Sequence, residues 1–163
     1  IKSTATIMFG HIDDIDSWVN HFSLIKNVQN KTHGFTEVVP LPFVHMGSPI
    51  YLRGKSMPGP TWDEIVLIHS LARIYFVNLI DNIQASWVKL GHDGAGRLLH
   101  AGVNDLGGTL INENISRASG ADHGQETTQD QFIQIIESEN KNPVLRNTLY
   151  TEFIETKNTL EKR

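Results

Sequence analysis

The fold class is decided by the stretch TATIMFG, residues 4–10, which is rich in β-forming residues and ends at a glycine. A short apolar run of this kind predicts a buried β-strand. Asp13 or Asp14 can cap a helix behind the strand, and Gly34 can end that helix. Apolar side chains recur there at helical spacing, at Ile15, Trp18, Phe22, Ile25 and Val28. The chain therefore begins with a strand–helix unit.

A second strand is predicted at FTEVVPLPF, residues 35–43. Pro40 and Pro42 have no backbone N–H, so we expect strand pairing to be interrupted near them. After a loop, TWDE has the capping-box pattern, in which Thr61 and Glu64 satisfy each other's backbone donors. The helix that begins there has one apolar face, formed by Ile65, Ile68, Ala72 and Phe76.

Two further units are predicted in the second half of the chain. NIQASWVKLG, residues 82–91, is typical of a third strand, GHDGAG of a turn, and residues 97–100 of a short helix. DLGGTL, residues 105–110, is typical of a short fourth strand. A second capping box, at Thr128 and Gln131, predicts a helix, and the tail from residue 148 has helical propensity.

Strand and helix alternate four times, which predicts an α/β fold with parallel strands covered by helices. Four such units make about half of a TIM-type (β/α) barrel. We therefore expect residues 1–124 to form the C-terminal part of a barrel. Residues 125–163 are expected to form a helical segment that packs on the barrel and frays at its end.

The composition excludes several classes of function. The 163 residues have a net charge of −4 and scattered basic side chains, so no nucleic-acid partner is expected. No apolar run approaches the roughly 18 residues of a membrane span. The absence of cysteine excludes disulfides, thiolate catalysis and cysteine-ligated clusters within this chain. Because the chain starts at Ile1 within an apolar run, we expect it to be a fragment.

The first candidate site residue follows the first strand. In a barrel the chemistry lies at the carboxyl ends of the strands, and His11 is there, able to donate to a substrate carbonyl or carboxylate or to relay a proton. The alternative is a histidine at a helix start that bonds Asp13 or Asp14. No metal site is expected, since one histidine and one acid are too few for the three protein ligands of zinc.

Polar residues of the later strands are further candidates. Gln84 and Ser86 share one face of the predicted third strand. Asn104 and Asp105 precede the fourth strand, so a loop-fixing role is expected for them. Beyond that strand the ligand-facing candidates are Thr109, Glu113 and Asn114.

Longer blocks of the sequence resemble a known family. In order and spacing, STATIMFGHID, GFTEVVPLPFVH, DNIQASWVKLG and NDLGGTLINENISRASG resemble the C-terminal half of the tyrosine 4-hydroxyphenyl transferase component of FO synthase. FO is a deazaflavin, and these proteins are radical S-adenosylmethionine (SAM) enzymes. The resemblance extends over roughly residues 4–124. Near alternatives are the aminofutalosine-type synthases of menaquinone biosynthesis, which share the strand-Gly-His and Asn-Asp features.

The resemblance implies a reaction. A [4Fe–4S] cluster on a CxxxCxxC loop would reduce SAM, and the resulting radical would take hydrogen from tyrosine. The 4-hydroxybenzyl group would then join 5-amino-6-(D-ribitylamino)uracil. The cysteine motif is expected upstream of Ile1, so this chain alone is expected to be inactive.

The resemblance also suggests roles for residues and partners. The free carbonyls near the prolines are expected to accept from the SAM adenine, which makes Val39, Pro40 and Leu41 the SAM candidates. Gln84 and Ser86 would bind the uracil or its ribityl chain. A cytoplasmic enzyme is implied, associated with or fused to the second FO synthase component. A non-catalytic domain that binds a small molecule or a protein remains the alternative of a different class.

Overall fold

The computed structural model describes residues 1–109 and 126–156. Its first half contains strand β1 (Ser3–Phe9), helix α1 (Ile15–Thr32), strand β2 (Phe35–Pro42), the short helix α2 (Pro49–Leu52) and helix α3 (Trp62–Tyr75). Strand β3 (Asn82–Ile83), helix α4 (Trp87–Arg97) and a 3₁₀ turn (Leu98–His100) follow. After the undescribed segment come helix α5 (Gln129–Ser138) and strands β4 (Val144–Arg146) and β5 (Phe153–Glu155). The predicted α/β class is confirmed.

The central sheet has three parallel strands in the order β1-β2-β3. One face of the sheet bears the fully buried side chains of Ile7, Phe9, Val38 and Ile83. The apolar sides of α1 and α3 pack on this face and form one core with it. The capping box at Thr61 and Glu64 is present, as predicted from the sequence. Helix α1 begins at the Asp14 cap but ends at His33, in a left-handed conformation, rather than at Gly34.

The two prolines of β2 do not interrupt its pairing with β1, and this corrects the sequence-based expectation. The register runs without a shift from Thr4 opposite Glu37 to Phe9 opposite Pro42. Backbone groups of alternate residues point to opposite neighbours. The Val38 carbonyl accepts from Gln84 at 2.9 Å on the β3 side. Pro40 and Pro42 have the same parity as Val38, so their missing donors face the side where β3 has already ended.

The predicted third strand is wrong beyond its first two residues. Strand β3 stops at Ile83, and Trp87–Arg97 is helix α4, with a kink at Gly91 where φ is 70°. The stretch GHDGAG, expected to be a turn, lies within this helix. The misassignment arises because part of the helical pattern of buried positions is formed by small residues, which give no apolar signal. The buried residues of α4 are Trp87, Val88, Gly91, Gly94, Ala95 and Gly96.

Two further expectations are corrected. Instead of a fourth strand, residues 105–109 form only one parallel bridge, between Gln84 and Asp105. In the tail, the described residues 148–156 form no α-helix; β4 and β5 instead make an antiparallel pair. The boundary placed at residue 124 stays a prediction, since it lies outside the described ranges. No helix in the described parts of the chain is both long and apolar enough to cross a membrane.

A buried histidine predicts how stability depends on pH. His69 is fully buried on α3, with Nδ1 2.7 Å from the Ile65 carbonyl and, among the described residues, no hydrogen-bond partner for Nε2. Burial lowers the pKa of His69 to about 4. Neutral His69 therefore stabilises the fold fully above about pH 6.5, and this stabilisation is lost as pH falls towards 4.

We expect the free energy of unfolding to fall by about 2 kcal/mol more in the wild type than in His69→Leu between pH 7 and pH 5. Urea titrations of both proteins at the two pH values measure this difference. Parallel losses in the two proteins would show that His69 does not titrate as a buried group.

Candidate active site

The carboxyl ends of β1 and β2 bring two aromatic side chains together. His11 follows β1 after Gly10, and Phe43 follows β2 directly; their ring centroids are 5.7 Å apart. Phe43 N–H also donates to the Phe9 carbonyl at 2.9 Å, which extends the parallel ladder to this point. His11 thus lies at the edge of the sheet where α/β enzymes hold their chemistry.

Asp13 holds the His11 ring. Its Oδ1 is 2.6 Å from His11 Nδ1 and accepts the His11 backbone N–H at 2.8 Å. Its Oδ2 accepts from the Gly10 backbone and from the Trp18 indole. Burial opposes the charge on Asp13, but these hydrogen bonds outweigh it and hold the pKa of the carboxyl well below its usual range. Of the two partners left open by the sequence, Asp13 is the one that bonds His11.

The face of the sheet away from α1 and α3, here called the inner face, is defined by the register. It bears Thr4, Thr6 and Met8 of β1 beside Glu37, Val39 and Leu41 of β2. Of the proposed SAM contacts, Val39 and Leu41 therefore lie on the inner face and Pro40 does not, since its side chain is buried on the helix side. The carbonyls of Pro40 and Pro42 lie beyond the last residue paired with β3.

Gln84 extends the inner face past the end of β3. Its neighbours Ile83 and Ala85 are fully buried on the helix side, so the Gln84 side chain points to the opposite face. The amide lies against Gly107: a β-carbon built on Gly107 would be 2.6 Å from Gln84 Nε2. Gly107 also has φ of +80°, which a residue with a side chain rarely adopts.

Ser86 and Thr109 do not have the strand-related positions that the sequence predicts for them. Ser86 is not on a strand; it is the N-cap of α4, and its carbonyl accepts from Lys89 and Leu90. Thr109 is exposed and follows no fourth strand. Glu113 and Asn114 lie outside the described residues. Their roles as ligand-facing residues stay predictions.

Asn104 has the loop-fixing role predicted from the sequence. Its side-chain oxygen accepts from the Ile83 backbone at 2.9 Å and from Arg73, and its nitrogen donates to the Asp81 carbonyl. Arg73 also donates to Gly102 and Asp81 carbonyls. This network ties the segment before Asp105 to the start of β3.

Asp105 also belongs to a polar cluster whose other members, Glu37, Arg146 and Tyr150, the sequence does not reveal. Arg146 of β4 makes a bidentate pair with Asp105, with Nε–Oδ2 2.6 Å and Nη2–Oδ1 3.0 Å. Tyr150 donates to Glu37, and the Arg146 guanidinium lies 4.1 Å from the Tyr150 ring centroid. The C-terminal hairpin is thereby fastened to the sheet. We call Glu37, Asp105, Arg146 and Tyr150 the hairpin cluster.

Electrostatics suit the hairpin cluster to a structural role. Burial opposes the charge on Arg146, but the hydrogen bonds and the charge of Asp105 outweigh it and raise the pKa. Burial and the bond to Glu37 raise the pKa of Tyr150, so its hydroxyl stays protonated and donates. No sequence signal paired these residues, because Glu37 and Tyr150 are 113 positions apart.

The comparisons with known proteins agree with this architecture. Residues 32–159 match the family model described as CofH/MqnC C-terminal region. The chain is 51% identical over 150 residues to the 5-amino-6-(D-ribitylamino)uracil–L-tyrosine 4-hydroxyphenyl transferase of Methanopyrus kandleri, covering 92% of this chain and 41% of that protein. It is 46% identical over 153 residues to the transferase of the same name from Methanothermobacter thermautotrophicus, covering 94% and 42%.

A third relative is longer. The FO synthase of Mycobacterium leprae is 45% identical over 150 residues, which cover 92% of this chain but 17% of that protein. The chain thus spans about two-fifths of the length of the two transferases and under one-fifth of this FO synthase.

The contact between Gln84 and Gly107 can be tested with two neighbouring glycines. Gly107→Ala should lower the free energy of unfolding by about 1–2 kcal/mol, because the new methyl group strains a positive φ and displaces the Gln84 amide. Gly108→Ala is the matched control, since no described residue lies within 4 Å of its added β-carbon. Equal effects in urea titrations would contradict this packing.

The hairpin cluster predicts that replacing Arg146 lowers the free energy of unfolding substantially. Arg146→Met should lower the free energy of unfolding by about 3 kcal/mol, because it leaves the buried Asp105 carboxylate without its cation. Arg53→Met, at an exposed arginine, should change it by no more than about 0.5 kcal/mol. Urea titration followed by circular dichroism measures both, and a similarly small effect of Arg146→Met would refute the fastening role.

Proposed function

The chain belongs to the CofH/MqnC C-terminal region family, and on this premise we propose that it is the C-terminal part of a radical SAM transferase. The reaction joins the 4-hydroxybenzyl group of tyrosine to 5-amino-6-(D-ribitylamino)uracil in the biosynthesis of FO. The observation that carries the proposal is the 51% identity, over nearly the whole chain, to a transferase named for these two substrates.

The proposed architecture is a barrel completed by a preceding part of a longer protein. β1 is an edge strand, since its one described neighbour is β2. On its inner face Met8 is 49% exposed, although the next residue, Phe9, is fully buried in the core. An edge strand with no second partner among the described residues, and an exposed apolar side chain on its inner face, suit further strands on this side. The relatives, which are more than twice as long, support the same reading.

The residues present do not fit the iron–sulfur cluster. Cluster binding requires thiolates, and the chain has no cysteine. In the proposal, the cluster ligands belong to the preceding part of the protein, and no chemistry of the cluster is assigned to this chain.

The residues present do fit SAM on the inner face. In the proposal, the carbonyls of Pro40 and Pro42 accept from the adenine amino group; the support is that they face the side where β3 has ended. Val39 and Leu41 provide apolar contacts on the inner face. When bound, SAM supplies the radical that takes a hydrogen atom from the substrate. This chain orients the adenosyl group and keeps water from it.

Two polar residues are proposed to bind substrate. The Gln84 amide offers both a donor and an acceptor on the inner face, a combination that suits the uracil ring or its ribityl chain. His11, at the carboxyl end of β1, holds or moves a proton through its Nε2 atom. Of the hairpin cluster, Glu37 lies opposite Thr4 near the amino end of β1, and the cluster is proposed to take no part in the chemistry.

Partners follow from the same proposal. The matched region is a small share of the M. leprae FO synthase, so the transferase region occurs within a longer polypeptide in that relative. We infer that this protein works with the second FO synthase component, either fused to it or associated with it, in the cytoplasm.

Turnover by the full-length protein tests the function. Anaerobically reconstituted protein, supplied with reductant, SAM, tyrosine and the diaminouracil, should consume tyrosine and form 5′-deoxyadenosine and the hydroxybenzyl adduct. The 163-residue chain alone should form none of these products, because it has no cluster ligands. Mass spectrometry follows each compound. Unchanged tyrosine, with turnover of a menaquinone precursor instead, would contradict the proposed substrates.

A further inference from the structure

The turn after β1 holds His11 rigidly. Gly10 has φ of +84°, and a β-carbon built on it would be 2.4 Å from Pro60 Cδ, so neither another backbone conformation nor another residue fits easily. The His11 carbonyl accepts from the Met57 backbone at 2.6 Å. The His11 ring also packs against Phe43. Both the backbone of His11 and one face of its ring are therefore held in place.

Asp13 determines which ring nitrogen has the proton. An ionised carboxylate can only accept hydrogen bonds, and Oδ1 of Asp13 lies 2.6 Å from His11 Nδ1. The low pKa of Asp13 keeps this carboxylate ionised. Nδ1 must therefore be the donor. In the neutral ring, Nε2 then has no proton and can only accept.

Nε2 is free to meet a ligand. Among the described residues it has no hydrogen-bond partner, and the His11 side chain is 22% exposed. The imidazole thus presents one accepting nitrogen at the carboxyl edge of the sheet. This differs from the sequence-based expectation that His11 donates to a substrate carbonyl or carboxylate.

The geometry points to Asp13 as a positioning residue that fixes His11 as the Nδ1–H tautomer, so that Nε2 accepts a hydrogen bond from a substrate O–H or N–H. This inference rests on the proposed function for the identity of the substrate, but not for the tautomer. The ligand group must be a polar hydrogen donor, such as a phenol or an amine. A carbonyl or carboxylate would meet the lone pair of Nε2 and be repelled.

The Asp13 side chain is held in place by its hydrogen bonds. Its two oxygens accept four hydrogen bonds, from His11 Nδ1, two backbone N–H groups and the Trp18 indole. A neutral amide at this position would place an N–H₂ group against at least one backbone N–H. Asp14, one residue further on, instead caps α1 by accepting from Ser17 and does not contact His11.

The tautomer can be measured directly in the full-length protein. With ¹⁵N-labelled histidine, long-range ¹H–¹⁵N correlation spectra distinguish a protonated from an unprotonated ring nitrogen, and His11→Gln assigns the signal. We expect His11 to be protonated at Nδ1 in the wild type. A ring protonated at Nε2 alone would overturn the inference, whether or not any variant folds.

Two matched variants test whether Asp13 determines the tautomer of His11. Asp13→Asn should shift His11 towards the Nε2–H tautomer, whereas Asp14→Asn should leave the tautomer unchanged, because Asn is as good an N-cap as Asp. An unchanged His11 tautomer in folded Asp13→Asn would overturn the role of Asp13.

Kinetics of the reconstituted enzyme test whether the reaction depends on the tautomer of His11. Asp13→Asn should lower kcat at least about 10-fold, because the wrong tautomer presents an N–H where an acceptor is needed. Asp14→Asn should keep kcat within about twofold, and Asp13→Glu should restore part of the loss. If the enzyme has a different substrate, the tautomer result still stands. An unchanged kcat in Asp13→Asn with the tautomer shifted would overturn the role of Nε2.

Discussion

The positions of His11, Val39, Pro40 and Leu41 depend on the parallel pairing of β1 with β2. This register, from Thr4 opposite Glu37 to Phe9 opposite Pro42, decides which side chains face the helices and which face the inner side. It persists past two prolines because their missing donors point away from β1. The same geometry leaves their carbonyls unpaired by β3 and brings His11 beside Phe43.

Much of the first half of the fold could be predicted from the sequence, because its signals are local. The buried strand at TATIMFG and the capping box at Thr61 each depend on a few adjacent residues. The prediction fails in the second half, where the periodic pattern of apolar residues is ambiguous. NIQASWVKLG alternates like a strand over a few residues, but its buried positions continue at helical spacing into α4.

The site was predictable only in part, for the same reason. His11 was found because it directly follows a strand, and its partner Asp13 is two residues away. The tautomer that Asp13 imposes required the distance between their atoms. The hairpin cluster had no local signal, since Arg146 meets Asp105 only after the chain has folded back on itself. Ser86 is not on a strand as predicted, because β3 ends at Ile83 and Ser86 is the N-cap of α4.

The inner face thus has two ends with different roles. Towards the amino end, the half-buried hairpin cluster fastens the C-terminal hairpin. At the carboxyl end, a fixed histidine keeps one nitrogen available, and β2 keeps two carbonyls unpaired by β3. A crystal structure of the full-length protein with SAM and tyrosine bound tests this division most directly. The account predicts the adenine amino group within hydrogen-bond distance of the Pro40 or Pro42 carbonyl, and a substrate donor on His11 Nε2. An adenine bound away from both of these carbonyls, with no substrate group on His11 Nε2, would contradict it.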